Sequence, residues 1–152
     1  MSAADVAASV RDPELRVLTI AELGILRDVD TDGTHVTVTI TPTYSGCPAM
    51  DVIRADIVGA LHAAGHDDVE VRTVLSPAWT TDWITPAGHE KLAEAGIAPP
   101  ARSSTVALTL AVRCPQCGSP DTRQISRFGS TACKALWRCT SCAEPFDAVK
   151  TL

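Results

Sequence analysis

The feature that most constrains the fold of this chain is a pair of Cys-x-x-Cys turns in its C-terminal third. The turns are Cys114–Cys117 and Cys139–Cys142, and 21 residues separate them. Two residues between the cysteines of a turn allow both sulfurs to face one ion, so two turns can supply four thiolates in a tetrahedron. Cysteines that only fill a core would not produce this paired spacing. We therefore predict one metal site, with the ligands Cys114, Cys117, Cys139 and Cys142.

The residues around the two turns predict a zinc ribbon. Short strands are predicted over 122–126, 135–138 and 145–149. Four thiolates leave a zinc ion coordinatively closed, so a zinc ion here would be structural rather than catalytic. Four thiolates also suit iron, and a single iron or a cluster stays open as the alternative metal. Cys133 has no partner at Cys-x-x-Cys spacing, and we expect a buried, inert thiol there.

The distribution of charge divides the chain near residue 100. Residues 1–100 contain six basic and 15 acidic residues, a net charge of −9, whereas residues 101–152 contain seven basic and three acidic residues, a net charge of +4. The segment 97–104 between them contains Pro99-Pro100, which cannot continue a helix. We predict two domains, 1–100 and 101–152. Nucleic-acid binding by the basic domain is a weaker alternative, because its basic residues are scattered and few aromatic side chains accompany them.

The first 100 residues have the pattern of an α+β domain. We predict a helix over Ser2 to Val10, a β-hairpin that turns at Asp32-Gly33, an amphipathic helix over Ala49 to Ala64, a third strand around Val69 and Val71, and a helix over Pro86 to Ala95. This order favours helices on a small mixed sheet. The fold class is therefore α+β, followed by a C-terminal β zinc ribbon.

The sequence favours a cytoplasmic protein without a membrane segment. No apolar run reaches the roughly 20 residues that a membrane-spanning helix needs. The first 14 residues contain three acidic residues and lack the basic start of a signal peptide. In a reducing compartment cysteines are metal ligands or reactive thiols more often than disulfide partners.

Cys47 is the only cysteine of the first domain, and it lies between a predicted strand and a predicted helix that begins at Pro48. Backbone donors and the helix dipole favour a thiolate at such a position, which makes Cys47 a candidate nucleophile or soft-metal ligand. A small side chain in a tight turn is an equal alternative. No motif places a histidine beside Cys47, so we expect no Cys-His catalysis and no enzyme.

Three further groups have two interpretations each. His62 and His66 could share a metal, but without a third ligand we expect them to be solvated. Asp12-Pro13-Glu14 could supply carboxylates or could simply form a turn between elements. The loop 76–83 contains Trp79 and Trp83, which could contact a partner or could anchor the loop on the core.

Several of these motifs together resemble the iron–sulfur cluster assembly domain family. They are Asp12-Pro13-Glu14, Glu22–Ile25 and Thr41–Pro48. The PaaD branch of that family, encoded with the phenylacetyl-CoA epoxidase, is similar over about residues 10–149 through further motifs at Pro77–Trp83, Gly96–Pro100, Phe128–Lys134 and Glu144–Asp147.

The resemblance implies a maturation factor rather than a catalyst. PaaD-like proteins are expected to help install iron–sulfur clusters in the epoxidase system, whose reductase subunit carries one. The implied partners are the epoxidase subunits, above all the reductase, and iron–sulfur scaffold proteins. The resemblance implies transient handling of iron or a cluster at Cys47, a site shaped by Asp12 and Glu14, and client contacts at Trp79 and Trp83. A structural or regulatory subunit of the oxygenase complex is the main alternative.

Overall fold

The computed structural model of the chain describes residues 1–101 and 112–151. The chain divides into two compact units, Met1–Thr85 and Pro86–Leu152. The first unit contains α1 (Ala3–Ala8), β1 (Leu26–Asp32), β2 (His35–Ile40), α2 (Ala49–Ala63), β3 (Asp68–Thr73) and a 3₁₀ turn (Thr81–Trp83). The second unit contains α3 (Pro86–Glu94), β4 (Thr122–Ser126), β5 (Lys134–Cys139) and β6 (Pro145–Val149). The α+β class is confirmed.

The sheet of the first unit is mixed, with the strand order β1-β2-β3. Strands β1 and β2 are antiparallel and joined by a two-residue turn, in which Gly33 adopts a φ of +59°. Such turns require positive φ, which glycine adopts without steric cost. Strands β2 and β3 are parallel, so the chain must cross over between them, and α2 is the crossover.

The core of the first unit lies between the sheet and two helices. Val36, Val38 and Ile40 of β2 are fully buried, and the threonines between them are half-buried. The apolar face of α2 is buried as well, through Met50, Ile53, Ile57 and Leu61. Helix α1 contacts both β1 and α2, and α2 contacts β3, so the two helices cover one face of the sheet.

Helix α1 is shorter than the sequence predicts. It begins with a capping box between Ser2 and Asp5 and ends at Ala8. The backbone of the following residues instead pairs with a later segment, because the Val10 carbonyl accepts from the Ile20 N–H at 2.8 Å and the Asp12 N–H donates to the Leu18 carbonyl at 3.0 Å. The loop after α1 is therefore folded back on itself.

The second unit is an antiparallel sheet in the order β4-β5-β6, and the three predicted ribbon strands are present. Among the described residues, its core includes Ala98, Cys114, Cys139, Phe146 and Ala148. Ala98 bridges to β6, since its N–H donates to the Asp147 carbonyl at 2.9 Å and its carbonyl accepts from the Val149 N–H at 3.0 Å. The segment that precedes residue 100 thus packs with the ribbon.

The predicted domain limits, 1–100 and 101–152, stay a prediction. The compact units divide earlier, between Thr85 and Pro86, because α3 and Ala98 belong with the ribbon strands. Of the predicted joining segment 97–104, residues 102–104 lie outside the described residues. Within the described ranges, no helix has the length and apolar character that crossing a membrane demands.

Candidate metal centre and Cys47 loop

The structure brings the four cysteines of the two Cys-x-x-Cys turns together. All four sulfur atoms lie within 4.8 Å of one another. The sulfurs of Cys114 and Cys142 are 3.7 Å apart, and those of Cys117 and Cys139 are 3.6 Å apart. Four thiolates at zinc bond lengths of about 2.3 Å form a tetrahedron with edges of about 3.8 Å. The donor set and its spacing therefore fit one tetrahedral metal ion.

The four thiols of this centre differ in environment. Cys114 and Cys139 are buried, whereas Cys117 and Cys142 are exposed. A hydrogen bond from the backbone N–H of Cys142 to the Cys139 sulfur lowers the pKa of Cys139 to about 6. At Cys142 the backbone N–H of Glu144 lowers the pKa, but desolvation and the neighbouring thiols outweigh it and raise the pKa to about 12. Among the thiols with a shifted pKa, Cys139 is therefore the one that loses its proton most readily when a cation binds.

Hydrogen bonds between the two turns hold the centre in shape. The hydroxyls of Ser119 and Ser141 are 2.8 Å apart, which joins one turn to the other. The Thr140 N–H and hydroxyl both donate to the Asp121 carbonyl, each at 2.8 Å. These outer contacts orient the ligands, and the Cys-x-x-Cys spacing alone does not reveal them.

Cys47 lies in the loop that leads from β2 to α2, and its side chain is buried. Its N–H donates to the Tyr44 carbonyl at 3.4 Å, and its carbonyl accepts from the Met50 N–H at 3.2 Å. Pro48 caps α2 rather than opening it, and no side chain caps this end of the helix. At the start of the same loop, the buried Thr41 hydroxyl lacks a hydrogen-bond partner within the described ranges.

Asp12 and Glu14 share one turn on a different loop from Cys47. The Asp12 carboxylate is buried and accepts from the backbone N–H groups of Glu14 at 2.9 Å and Leu15 at 2.6 Å. Asp12 therefore caps this turn, which agrees with the interpretation of Asp12-Pro13-Glu14 as a turn between elements. A role for Asp12 and Glu14 at Cys47 stays a prediction.

The two tryptophans of the 76–83 loop have different surroundings. Trp79 is buried, and its indole N–H donates to the Leu23 carbonyl at 2.9 Å, so it anchors the loop on the first unit. Trp83 is half-buried, and the Arg27 guanidinium lies 3.7 Å from the centre of its ring. Client contact stays a prediction for both, and Trp83 is the more accessible.

The remaining candidate residues do not form a second metal cluster in the part of the chain that the structure describes. There, only the four ribbon cysteines converge with metal-binding geometry, and neither His62 nor His66 belongs to such a group. Cys133 is half-buried rather than buried as the sequence predicts, because it lies in the loop before β5, and its sulfur is 3.1 Å from the Thr131 hydroxyl.

An ion-pair cluster at one end of the first sheet has no signal in the sequence pattern. His35 Nδ1 lies 2.9 Å from Asp68 and its Nε2 lies 3.5 Å from Glu70. The hydrogen bond with Asp68 raises the pKa of His35, and Glu70 adds to the shift. Only the β2–β3 register, which pairs His35 with Asp68, reveals this cluster.

Comparisons with known proteins agree with this geometry. Residues 98–150 match the model of the PaaD zinc beta ribbon domain, and residues 5–73 match the model of the iron-sulfur cluster assembly protein. The chain is 51% identical over 146 residues to an Escherichia coli (strain K12) protein that is named as a subunit of a "Putative 1,2-phenylacetyl-CoA epoxidase", with 95% of this chain and 88% of that protein covered. The chain belongs to the PaaD family. The resemblance found in its motifs is thereby confirmed.

Other relatives of this PaaD-family chain match only part of its length. An Fe-S protein maturation auxiliary factor of Porphyromonas gingivalis is 35% identical over 80 residues, which covers 51% of this chain and 74% of that protein. Among solved structures, a domain of unknown function from Bacillus anthracis superimposes with a TM-score of 0.55 at 28% identity, over 59% of this chain and 87% of that one. A conserved hypothetical protein from Thermotoga maritima gives a TM-score of 0.50 at 30% identity, over 59% and 89%.

Proposed function

We propose that this chain is an accessory factor of the 1,2-phenylacetyl-CoA epoxidase system that handles iron or an iron–sulfur cluster at Cys47. The observation that carries the proposal is the position of Cys47 inside the segment 5–73, which matches the iron-sulfur cluster assembly model. The match to the Escherichia coli epoxidase protein over 95% of the chain supports the choice of system. The iron–sulfur reductase of that system is the proposed client, and iron–sulfur scaffold proteins are the proposed source of the cargo.

The chemistry of a single thiol suits transient binding. A Cys47 thiolate would donate one soft ligand to iron, and the thiol proton would be released to solvent on binding. Transfer to a client thiolate is then a ligand exchange, in which no atom changes its oxidation state. The orphaned Thr41 hydroxyl in the same loop supports a site that is completed by a ligand, because a buried unpaired hydroxyl costs about 1–3 kcal/mol.

The ribbon would bind its metal permanently. We propose structural zinc, held by Cys114, Cys117, Cys139 and Cys142, because the sulfur spacings fit a closed tetrahedral site. When bound, the ion supplies folding free energy of order 10 kcal/mol to a small unit rather than reaction chemistry. A cargo metal would not leave four thiolates readily, so the two metal functions belong to different cysteines.

Co-expression of the reductase with this chain tests the proposal. We expect Cys47→Ser to lower the iron and acid-labile sulfide per reductase several-fold relative to the unmodified chain. Cys133→Ser is the matched control, since Cys133 is a half-buried thiol outside both sites, and it should leave the cluster content unchanged. Full cluster occupancy with Cys47→Ser would contradict cargo handling and favour a structural or regulatory role in the oxygenase complex.

A further inference from the structure

The ribbon presents an exposed aromatic side chain on a tightly bonded loop. Phe128 is 69% exposed and Ile125, three residues earlier, is 51% exposed. We use the name Phe128 surface for Phe128, the Lys150 ammonium beside its ring, and the exposed residues Ile125 and Arg127 that precede it in the chain. Single exposed apolar residues are common on proteins and need no explanation. The loop that carries Phe128 is fixed by several side-chain and backbone contacts.

Asp147 of β6 fixes the centre of this loop. Its carboxylate accepts from the Ser130 hydroxyl at 2.8 Å and lies 4.0 Å from the ammonium of Lys134, whose side chain is only 7% exposed. Gly129 passes so close to Asp147 that a Cβ on it would clash with the carboxylate oxygen. Only glycine fits at this position without a shift of the carboxylate.

Backbone contacts fix the rest of the loop. The Phe128 N–H donates to the Ser126 hydroxyl at 3.1 Å, and the Gly129 N–H donates to the Lys134 carbonyl at 2.7 Å. At the far end, the Lys150 ammonium donates to the Ala132 carbonyl at 2.8 Å. The backbone at Phe128 is thus held in place before any partner arrives, which removes part of the ordering cost of binding.

One cation lies beside the exposed ring, and further basic residues lie near Phe128 in the sequence. Residues 122–143 contain four basic residues and no acidic residue. The Lys150 ammonium lies 4.4 Å from the centre of the Phe128 ring. Arg127 is exposed and makes no ion pair with any residue of the described ranges. The complement of this surface is an apolar pocket with an acidic rim.

We propose that the Phe128 surface is where the ribbon docks on an acidic protein surface and, resting on the proposed function, that this acidic surface belongs to the epoxidase complex. Aromatic residues and arginine are enriched among the residues that contribute most to protein–protein binding energy, and Phe128 follows Arg127 in the chain. Single-stranded nucleic acids are bound by several aromatic side chains that stack successive bases, whereas Phe128 is a single ring. The observations therefore favour a protein partner.

Binding of the full chain to the purified epoxidase complex, measured by biolayer interferometry, tests the inference. We expect Phe128→Ser to weaken the Kd about 30-fold, and Phe128→Trp to restore most of the affinity. Gly129→Ala, whose Cβ would displace the Asp147 carboxylate that fixes the loop, should weaken binding with Phe128 still present. Leu75→Ser is the matched control, because Leu75 is an equally exposed apolar residue, at 62%, in the first unit. It should bind like the unmodified chain.

Several outcomes would overturn the inference. They are an unchanged Kd for Phe128→Ser, an equal loss for Leu75→Ser, and no binding of the unmodified chain. If the unmodified chain binds a single-stranded oligonucleotide and Phe128→Ser abolishes that binding, the inference is overturned and the partner is a nucleic acid. Cys47→Ser protein should bind the complex normally in this assay. A failure of the docking site is therefore distinguishable from a failure of cargo handling, which the cluster content of the reductase reports.

Discussion

Gly24 and Trp83 pack with no free space between them, since a Cβ added to Gly24 would lie 2.6 Å from the Cβ of Trp83. Gly24 also has a φ of +79°, which other residues adopt only with strain. The neighbouring carbonyl of Leu23 accepts the indole hydrogen bond of Trp79. The segment before β1 and the loop 76–83 are therefore in contact at two adjacent residues, Leu23 and Gly24.

Gly24→Ala should destabilise the first unit by at least about 2 kcal/mol, through backbone strain and the clash with Trp83. The free energy of unfolding in urea measures the effect. Gly33→Ala is the control for strain alone, because Gly33 also has positive φ but nothing lies within 4 Å of an added Cβ. If the two variants lose the same free energy of unfolding, the clash with Trp83 adds nothing to the destabilisation.

Metal removal should unfold the ribbon before the first unit. A strong chelator would remove the ion that joins the two Cys-x-x-Cys turns, and the small core around Cys114 and Cys139 would lose its support. Amide hydrogen exchange should show lost protection in β5 and retained protection in β2. The prediction fails if the chelator extracts no metal and the exchange pattern does not change.

His35→Gln should make stability less dependent on pH. The pKa of His35 is raised by the hydrogen bond with Asp68 and by Glu70, so its protonated form stabilises the folded state. This contribution is present below the ordinary histidine pKa and disappears as pH rises through the raised value. The difference in unfolding free energy between the unmodified chain and the variant should therefore be larger at about pH 5.5 than at about pH 9. A difference that does not vary with pH would contradict this assignment.

Substitutions at Asp12 separate its capping role from its charge. Asp12→Ala should lower the free energy of unfolding by about 1–2 kcal/mol, because the N–H groups of Glu14 and Leu15 lose their acceptor. Asp12→Asn keeps an acceptor oxygen and should cost less than about half of that. If both variants lower the free energy of unfolding in urea by the same amount, the stabilisation comes from the negative charge of Asp12 rather than from the cap.

Local patterns were sufficient to predict most of the elements. The predicted strands over 122–126 and 145–149 coincide with β4 and β6, and the predicted helix over 49–64 matches α2 to within one residue. The Cys-x-x-Cys spacing was also sufficient to predict that the four ribbon cysteines converge, since the geometry of each turn is local.

Features that depend on contacts between distant parts of the chain could not be predicted. The indole hydrogen bond of Trp79 reaches an acceptor 56 residues away, and the Asp68 partner of His35 depends on the parallel register of β2 and β3. The predicted helix over 2–10 was too long, because residues 10–12 pair with 18–20 instead. In each case tertiary contacts decide between local alternatives that the sequence leaves open.

The bridge between Ala98 and β6 determines where this chain can be divided for experiments on its parts. A fragment that starts after Pro100 would lack Ala98. Ala148 and Phe146 would lose an apolar neighbour, and β6 would lose the two backbone hydrogen bonds that Asp147 and Val149 make with Ala98. Such a fragment would expose part of its core and tend to aggregate or resist metal loading. A fragment that starts at Pro86 retains these contacts, so it is the truncation to purify when the ribbon is studied alone.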